Sequence, residues 1–197
     1  MRYSKKGEQV YFDCPGLGLR GRRRGTGCGE RLLGLDSLLT DPSCKQATVL
    51  DCGCAEGLIG LEFAQRGAAV VHGFDLQDVS IDAALKLFEG QCTQYAFRQA
   101  DLSAWTEFTE RNADLLLDRY DIVLLLGLYH HLLKQAGIDR ATAVFEGCLA
   151  LCDRYLAVRT NAPIPQELVS AHGFREAASH PGDQAMGTGR LMIFERL

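Results

Sequence analysis

The chain predicts an α/β fold: a seven-stranded, mostly parallel, doubly wound sheet that closes in an antiparallel C-terminal hairpin. Three observations carry that expectation. Five apolar, strand-like runs alternate with four helical segments between residues 47 and 160. The first of these strands runs into a glycine-rich bend that opens a helix. The last two strands are joined by a loop too short to hold a crossover helix.

Residues 1–46 hold many glycines and arginines and little periodicity, so they read as an irregular basic arm with one short helix over 29–39, covering the active site. The main domain is expected over 47–197. Its strands fall over 47–52, 69–75, 95–99, 121–126 and 154–160, each an apolar run bounded by polar or turn residues. Helices are expected over 56–66, 80–89, 105–117 and 139–151. In the last, Ala141, Val144, Phe145, Cys148 and Cys152 recur at helical spacing, a stripe that faces a core. Repeated strand–helix–strand units require parallel pairing, right-handed crossovers and helices on both sheet faces. Strands over 174–179 and 190–195 have only residues 180–189 between them, so they pair antiparallel.

Composition narrows the class. At 197 residues, with 47% hydrophobic and 23% charged side chains, the chain can bury a core without metals or disulfides. No apolar stretch reaches the ~18 residues of a membrane span. The start, Met1-Arg2-Tyr3-Ser4-Lys5-Lys6, leads into polar sequence, so a cytoplasmic protein without a membrane partner is expected. The eight cysteines include no C-x-x-C and no zinc-knuckle spacing, which favours buried free thiols and no metal. Residues 1–31 carry eight basic and three acidic side chains, a net +5 in a chain whose total is −4; the remainder carries −9. A basic arm on an acidic body suits one local anion site better than a general nucleic-acid face.

The most telling stretch is Val49-Leu50-Asp51-Cys52-Gly53-Cys54-Ala55-Glu56-Gly57. A buried strand, a glycine bend and a helix start let backbone approach a ligand closely and offer it free N–H groups. A dinucleotide fingerprint G-x-G-x-x-G would need glycines at 53, 55 and 58, where the chain has Gly53, Ala55 and Leu58. An NAD-dependent oxidoreductase is disfavoured on that spacing. Asp51, Gly53, Ala55 and Gly57 instead resemble motif I of the class I S-adenosylmethionine-dependent methyltransferases, acidic-x-G-x-G-x-G, with alanine in the middle position. The resemblance covers roughly residues 47–197 and implies the Rossmann-like methyltransferase fold, S-adenosyl-L-methionine as cofactor and methylation as the activity.

Ligands of open α/β sheets bind beyond the carboxyl ends of the strands, beside the switch point, so each strand end offers candidates. On the first, Asp51, Gly53, Cys54, Ala55 and Gly57 form the cofactor loop. Asp75, with Leu76 beside it, ends the second strand 24 residues beyond Asp51; it either accepts two ribose hydroxyls or caps the next helix. At the third, the resemblance implies that Asp101 accepts from the adenine amino group and the Leu102 N–H meets the ring, while a helix cap remains open. The fourth continues into Gly127-Leu128-Tyr129-His130-His131-Leu132, similar to the family's D-x-V-x-x-x-x-V-x-H-H-L. The resemblance sets Gly127 against the methionine part and Tyr129, His130 and His131 near the methyl group. A histidine titrating near ~6.5 is a base for a hydroxyl nucleophile, or else an anchor for the loop.

In the arm, Arg20-Gly21-Arg22-Arg23-Arg24 gathers guanidinium groups, and Arg22, Arg23 and Arg24 are the candidates to grip an anionic acceptor; a solvated loop is the alternative. Pro15-Gly16-x-Gly18 and Glu30-Arg31-Leu32 also resemble methyltransferases of tRNA wobble-uridine modification and of surface-polysaccharide clusters. The chain lacks N/D-P-P-Y/F, which argues against amino-methylation of adenine or glutamine, and lacks a Pro-Cys pair for cytosine C5. The expected reaction is therefore methyl transfer to oxygen or nitrogen of a small-molecule or nucleotide- or sugar-linked acceptor. An RNA-modifying enzyme, or a binding subunit that keeps the fold without turnover, is the alternative. Oligomeric state is left open.

Overall fold

The computed structural model describes residues 9–22, 29–42, 45–182 and 188–197. Strands β1 (Thr48–Cys52), β2 (Val70–Asp75), β3 (Gln94–Gln99), β4 (Tyr120–Leu126), β5 (Cys152–Thr160), β6 (Phe174–His180) and β7 (Arg190–Arg196) form one sheet in the order β3-β2-β1-β4-β5-β7-β6. All neighbours from β3 to β5 are parallel, and β7 runs antiparallel between β5 and β6. The seven strands and the closing hairpin are those expected from the sequence. Chain order reverses between β1 and β4, which places the switch point at their carboxyl ends.

Helices α1 (Gly29–Leu32) and α2 (Asp36–Thr40) precede the sheet, followed by α3 (Leu58–Gln65), α4 (Asp78–Phe88), α5 (Trp105–Arg111), α6 (Tyr129–Ala136), α7 (Ile138–Leu151) and α8 (Gln166–Ala171). Both sheet faces are covered, which is why the central strands are continuous apolar runs. Val49, Val71, Ile122 and Leu124 face one core with Ile59, Phe63, Ile81 and Phe88. Leu50, Phe74, Val123 and Leu125 face the other with Phe108, Tyr129, Val144 and Phe145.

Several boundaries differ from expectation for local reasons. The helix expected over 29–39 is two pieces, because Gly34 turns left-handed (φ 82°) where an added Cβ would lie 2.6 Å from His180 Cβ. The helix expected to run to 117 stops at Arg111. The buried Asn112 side chain donates to the Phe108 carbonyl at 2.7 Å and accepts from Arg98 at 3.2 Å, closing the helix end. Cys152 belongs to β5 rather than to the helical stripe of α7, though it remains buried. Helix α8 and the full extent of α6 were not anticipated, since each spans barely two turns. Among the described residues, no helix is long and apolar enough to cross a membrane.

Candidate active site

The bend after β1 is built from left-handed residues. Gly53 (φ 82°) and Gly57 (φ 71°) take that conformation without cost, and Ala55 (φ 47°) takes it with a Cβ in place. Gly57 also has no room to spare: a Cβ there would lie 3.1 Å from Ala84 Cβ and from the Phe97 ring. The Gly53 and Cys54 N–H groups donate to the Phe74 carbonyl at 2.8 and 3.1 Å, fixing the loop to the end of β2. Cys54 is buried, and burial pushes its thiol well above the usual range, so it lines the loop as a small apolar side chain. The six described cysteines are free thiols, and no metal-ligating cluster occurs among the described residues.

Asp51 and Asp75 end neighbouring strands. Asp51 is buried, and desolvation together with the charge of Asp75 pushes its carboxyl up to about 7. Asp75 is raised as well, chiefly by burial, and is partly held down by backbone N–H groups and by Arg22. Its Oδ2 accepts the Ala55 N–H and its Oδ1 the Gln77 N–H, both at 2.9 Å. Asp75 therefore braces the glycine loop. Leu76 beside it is 41% exposed, an apolar surface next to the carboxylate.

At the third strand end, Asp101 is exposed and its Oδ1 accepts the Ser103 N–H at 2.9 Å, a local turn ahead of α5, whose N-cap position is Ala104. Leu102 is buried in the core. At the fourth, Gly127 (φ 84°) donates to the Arg159 carbonyl at 2.9 Å and turns the chain toward α6. The two loops abut, for a Cβ on Gly53 would lie 3.3 Å from Leu128 Cβ. His130 is half-buried and His131 exposed, with ring centroids 4.2 Å apart.

Tyr129 corrects the expectation that placed it near the methyl group. Its ring is buried against Phe145 and its hydroxyl is hydrogen-bonded to Thr142 on α7, so its side chain belongs to the core. Arg22, the candidate grip for an anionic acceptor, lies at the end of β2. Its guanidinium sits 5.6 Å above the Tyr11 ring, donates to Gln77 Oε1 at 3.3 Å and acts on Asp75 at the second strand end. Arg23 and Arg24 fall outside the described residues. Sequence reasoning missed Glu56, fully buried within the glycine loop, together with its partner Ser80; a single polar residue ahead of a helix carries no signal of its depth.

A buried carboxylate, Asp51, and a half-buried one, Asp75, at neighbouring strand ends beside a left-handed backbone loop suit a cationic nucleoside, and S-adenosylmethionine is one. Comparisons with known proteins agree. Residues 49–150 match the family described as "Methyltransferase domain". The O-antigen chain terminator bifunctional methyltransferase/kinase WbdD of Escherichia coli is 30% identical over 144 residues, covering 71% of this chain and 18% of that protein. The chain thus spans a small part of that relative. Magnesium protoporphyrin IX methyltransferase from Synechocystis PCC 6803, crystallised with S-adenosylmethionine, superposes with a TM-score of 0.69 at 22% identity, over 89% of this chain and 88% of that one. A crystal structure of WbdD gives 0.68 at 22% identity, over 98% of this chain and 45% of that one. At such identities these structures establish the shared fold.

Proposed function

The chain belongs to the methyltransferase-domain family; from that premise we propose that it is an S-adenosylmethionine-dependent methyltransferase whose acceptor atom is the oxygen of a hydroxyl or acid on a sugar- or nucleotide-linked anionic molecule. The observation that carries the proposal is the close pair His130–His131, ring centroids 4.2 Å apart, on the first turn of α6, directly after the loop that abuts Gly53. The bound cofactor supplies a methyl group on sulfonium, already a good electrophile. The protein's remaining tasks are to hold donor and acceptor in line and to take a proton from a hydroxyl. A neutral imidazole from His130 is suited to the second task. The 30%-identical relative is named as an O-antigen chain terminator, which supports a sugar-linked acceptor, and Arg23 and Arg24, beyond Arg22 in the arginine run, support an anionic one.

The test is label transfer from S-adenosylmethionine to a panel of nucleotide sugars, phosphorylated oligosaccharides, free nucleotides and transfer RNA. One of the first two groups should be methylated at oxygen, with a rate that falls as salt screens the arginines over ~8–10 Å. On the acceptor so found, His130→Asn should lower kcat by about 100-fold or more and abolish the acidic limb of the pH profile. A loss under about tenfold with an intact limb means that His130 only anchors the loop. Methylation of RNA alone, with a steep salt dependence, would overturn the proposed acceptor class.

A further inference from the structure

Glu56 stands in the middle of the cofactor loop, yet it is 0% exposed. Its carboxylate accepts the backbone N–H of Tyr11, the backbone N–H of Phe12 at 3.0 Å and the Ser80 hydroxyl at 2.8 Å. Three separate parts of the chain therefore meet on one buried charge: the glycine loop, the first turn of α4 and the N-terminal segment. The buried carboxylate is satisfied only while that segment is in place, because two of its donors are the segment's own backbone.

The segment is itself a compact hairpin. Cys14 and Leu19 exchange backbone hydrogen bonds at 3.0 and 3.2 Å, around a 3-10 turn at Pro15–Leu17 that ends in left-handed Gly18. The Arg22 N–H reaches the Val10 carbonyl at 2.9 Å, and the Gly21 N–H reaches Asp13 Oδ1 at 2.7 Å. Val10, Phe12 and Cys14 are buried. Gly21 has no space for a side chain, since a Cβ would lie 2.3 Å from the Phe12 carbonyl carbon. Among the described residues, the hairpin's returning strand runs to Arg22, which lies between the Tyr11 ring and Gln77, where its charge reaches Asp75.

We propose that Glu56 is a positioning residue for cofactor binding, tying residues 9–22 to the glycine loop as a fixed strap whose end sets Arg22 at the Asp75–Gln77 edge of the S-adenosylmethionine pocket. The first part of the arm then serves the cofactor rather than the methyl acceptor. This rests on the cofactor assignment, which titration of the parent protein with S-adenosylhomocysteine tests by itself: a parent that binds none of it defeats that assignment and the strap with it.

The experiment compares S-adenosylhomocysteine affinity, urea midpoint and amide exchange across four variants. Glu56→Ala should weaken affinity at least tenfold. Gly21→Val disrupts the strap while leaving Glu56 and the loop unchanged, and should weaken affinity to a similar degree. The double variant should bind no more weakly than Glu56→Ala alone, because both substitutions act through one strap. In the parent, the ligand should slow exchange at the Tyr11 and Phe12 amides, and this protection should vanish in Glu56→Ala. Val169→Ala, in the remote helix α8, should lower the urea midpoint and leave affinity within twofold. Additive losses in the double variant, parent-like affinity in Gly21→Val with its strap amides exchanging freely, or a Val169→Ala loss of affinity in step with its midpoint would each overturn the proposal.

Discussion

Ala55 holds a left-handed backbone in the position where the motif ordinarily has glycine, and its Cβ is the source of a local strain of about 1 kcal/mol. Ala55→Gly should therefore stabilise the fold by up to about 1 kcal/mol, part of the gain being cancelled by the freer unfolded chain. Ala55→Val should cost more than that, because a β-branched side chain tolerates the conformation least. Urea midpoints of the two variants check this, and a valine variant as stable as the parent would show that residue 55 is not left-handed. Asp51 gives the second prediction at this scale. An unfolded aspartate titrates near ~3.9, whereas the folded carboxyl is pushed up to about 7. The folded state thus holds the proton more tightly, and the stabilisation present at low pH is lost as pH rises through roughly 4 to 7. The loss attributable to this group is on the order of 4 kcal/mol. Unfolding the ligand-free protein at pH 5 and pH 8 should show a larger drop for the parent than for Asp51→Asn. Equal drops would remove Asp51 as the cause.

Among the helices, α7 shows how packing overrules propensity. Gly147 lies in its interior, where alanine would favour the helix by roughly 1 kcal/mol. A Cβ there would sit 2.0 Å from the Trp105 indole of α5, so the glycine is what lets the two helices close over Phe108. Gly147→Ala should destabilise the protein by about 1–3 kcal/mol despite the better propensity, the usual cost of overpacking. Paired with Trp105→Phe, which shortens the facing ring, much of that loss should return. If the single variant is as stable as the parent in urea, the two helices are not in the contact described. The reason α7 was legible in the sequence and α6 was not lies in length. The stripe from Ala141 to Cys148 repeats over two full turns, whereas α6 buries little besides Tyr129 and Leu132. The same limit applies to Tyr129 itself: the motif marked its place along the chain, but only the packing of α6 on α7 turns its ring into the core against Phe145.

At the scale of the whole molecule, the strands were readable because a sheet buried on both faces demands uninterrupted apolar runs, and the glycine loop because left-handed backbone demands small residues at fixed intervals. The partners of Glu56 were not readable, since a contact between residues 44 and 45 positions apart leaves no trace in local pattern. The position of Arg22 beside Gln77, 55 residues along the chain, was unreadable for the same reason. The order β5-β7-β6 has a further consequence, for the route by which the chain reaches this state. β6 is made before β7 but borders only β7, so in a growing chain it has no neighbour to pair with until the final strand emerges. Leu191, Met192, Ile193 and Phe194, all buried, arrive together at that moment, each bringing about 1.5–3 kcal/mol of apolar burial. The parallel half of the sheet is free to assemble during synthesis, whereas the antiparallel edge closes in one later event, once β7 has emerged.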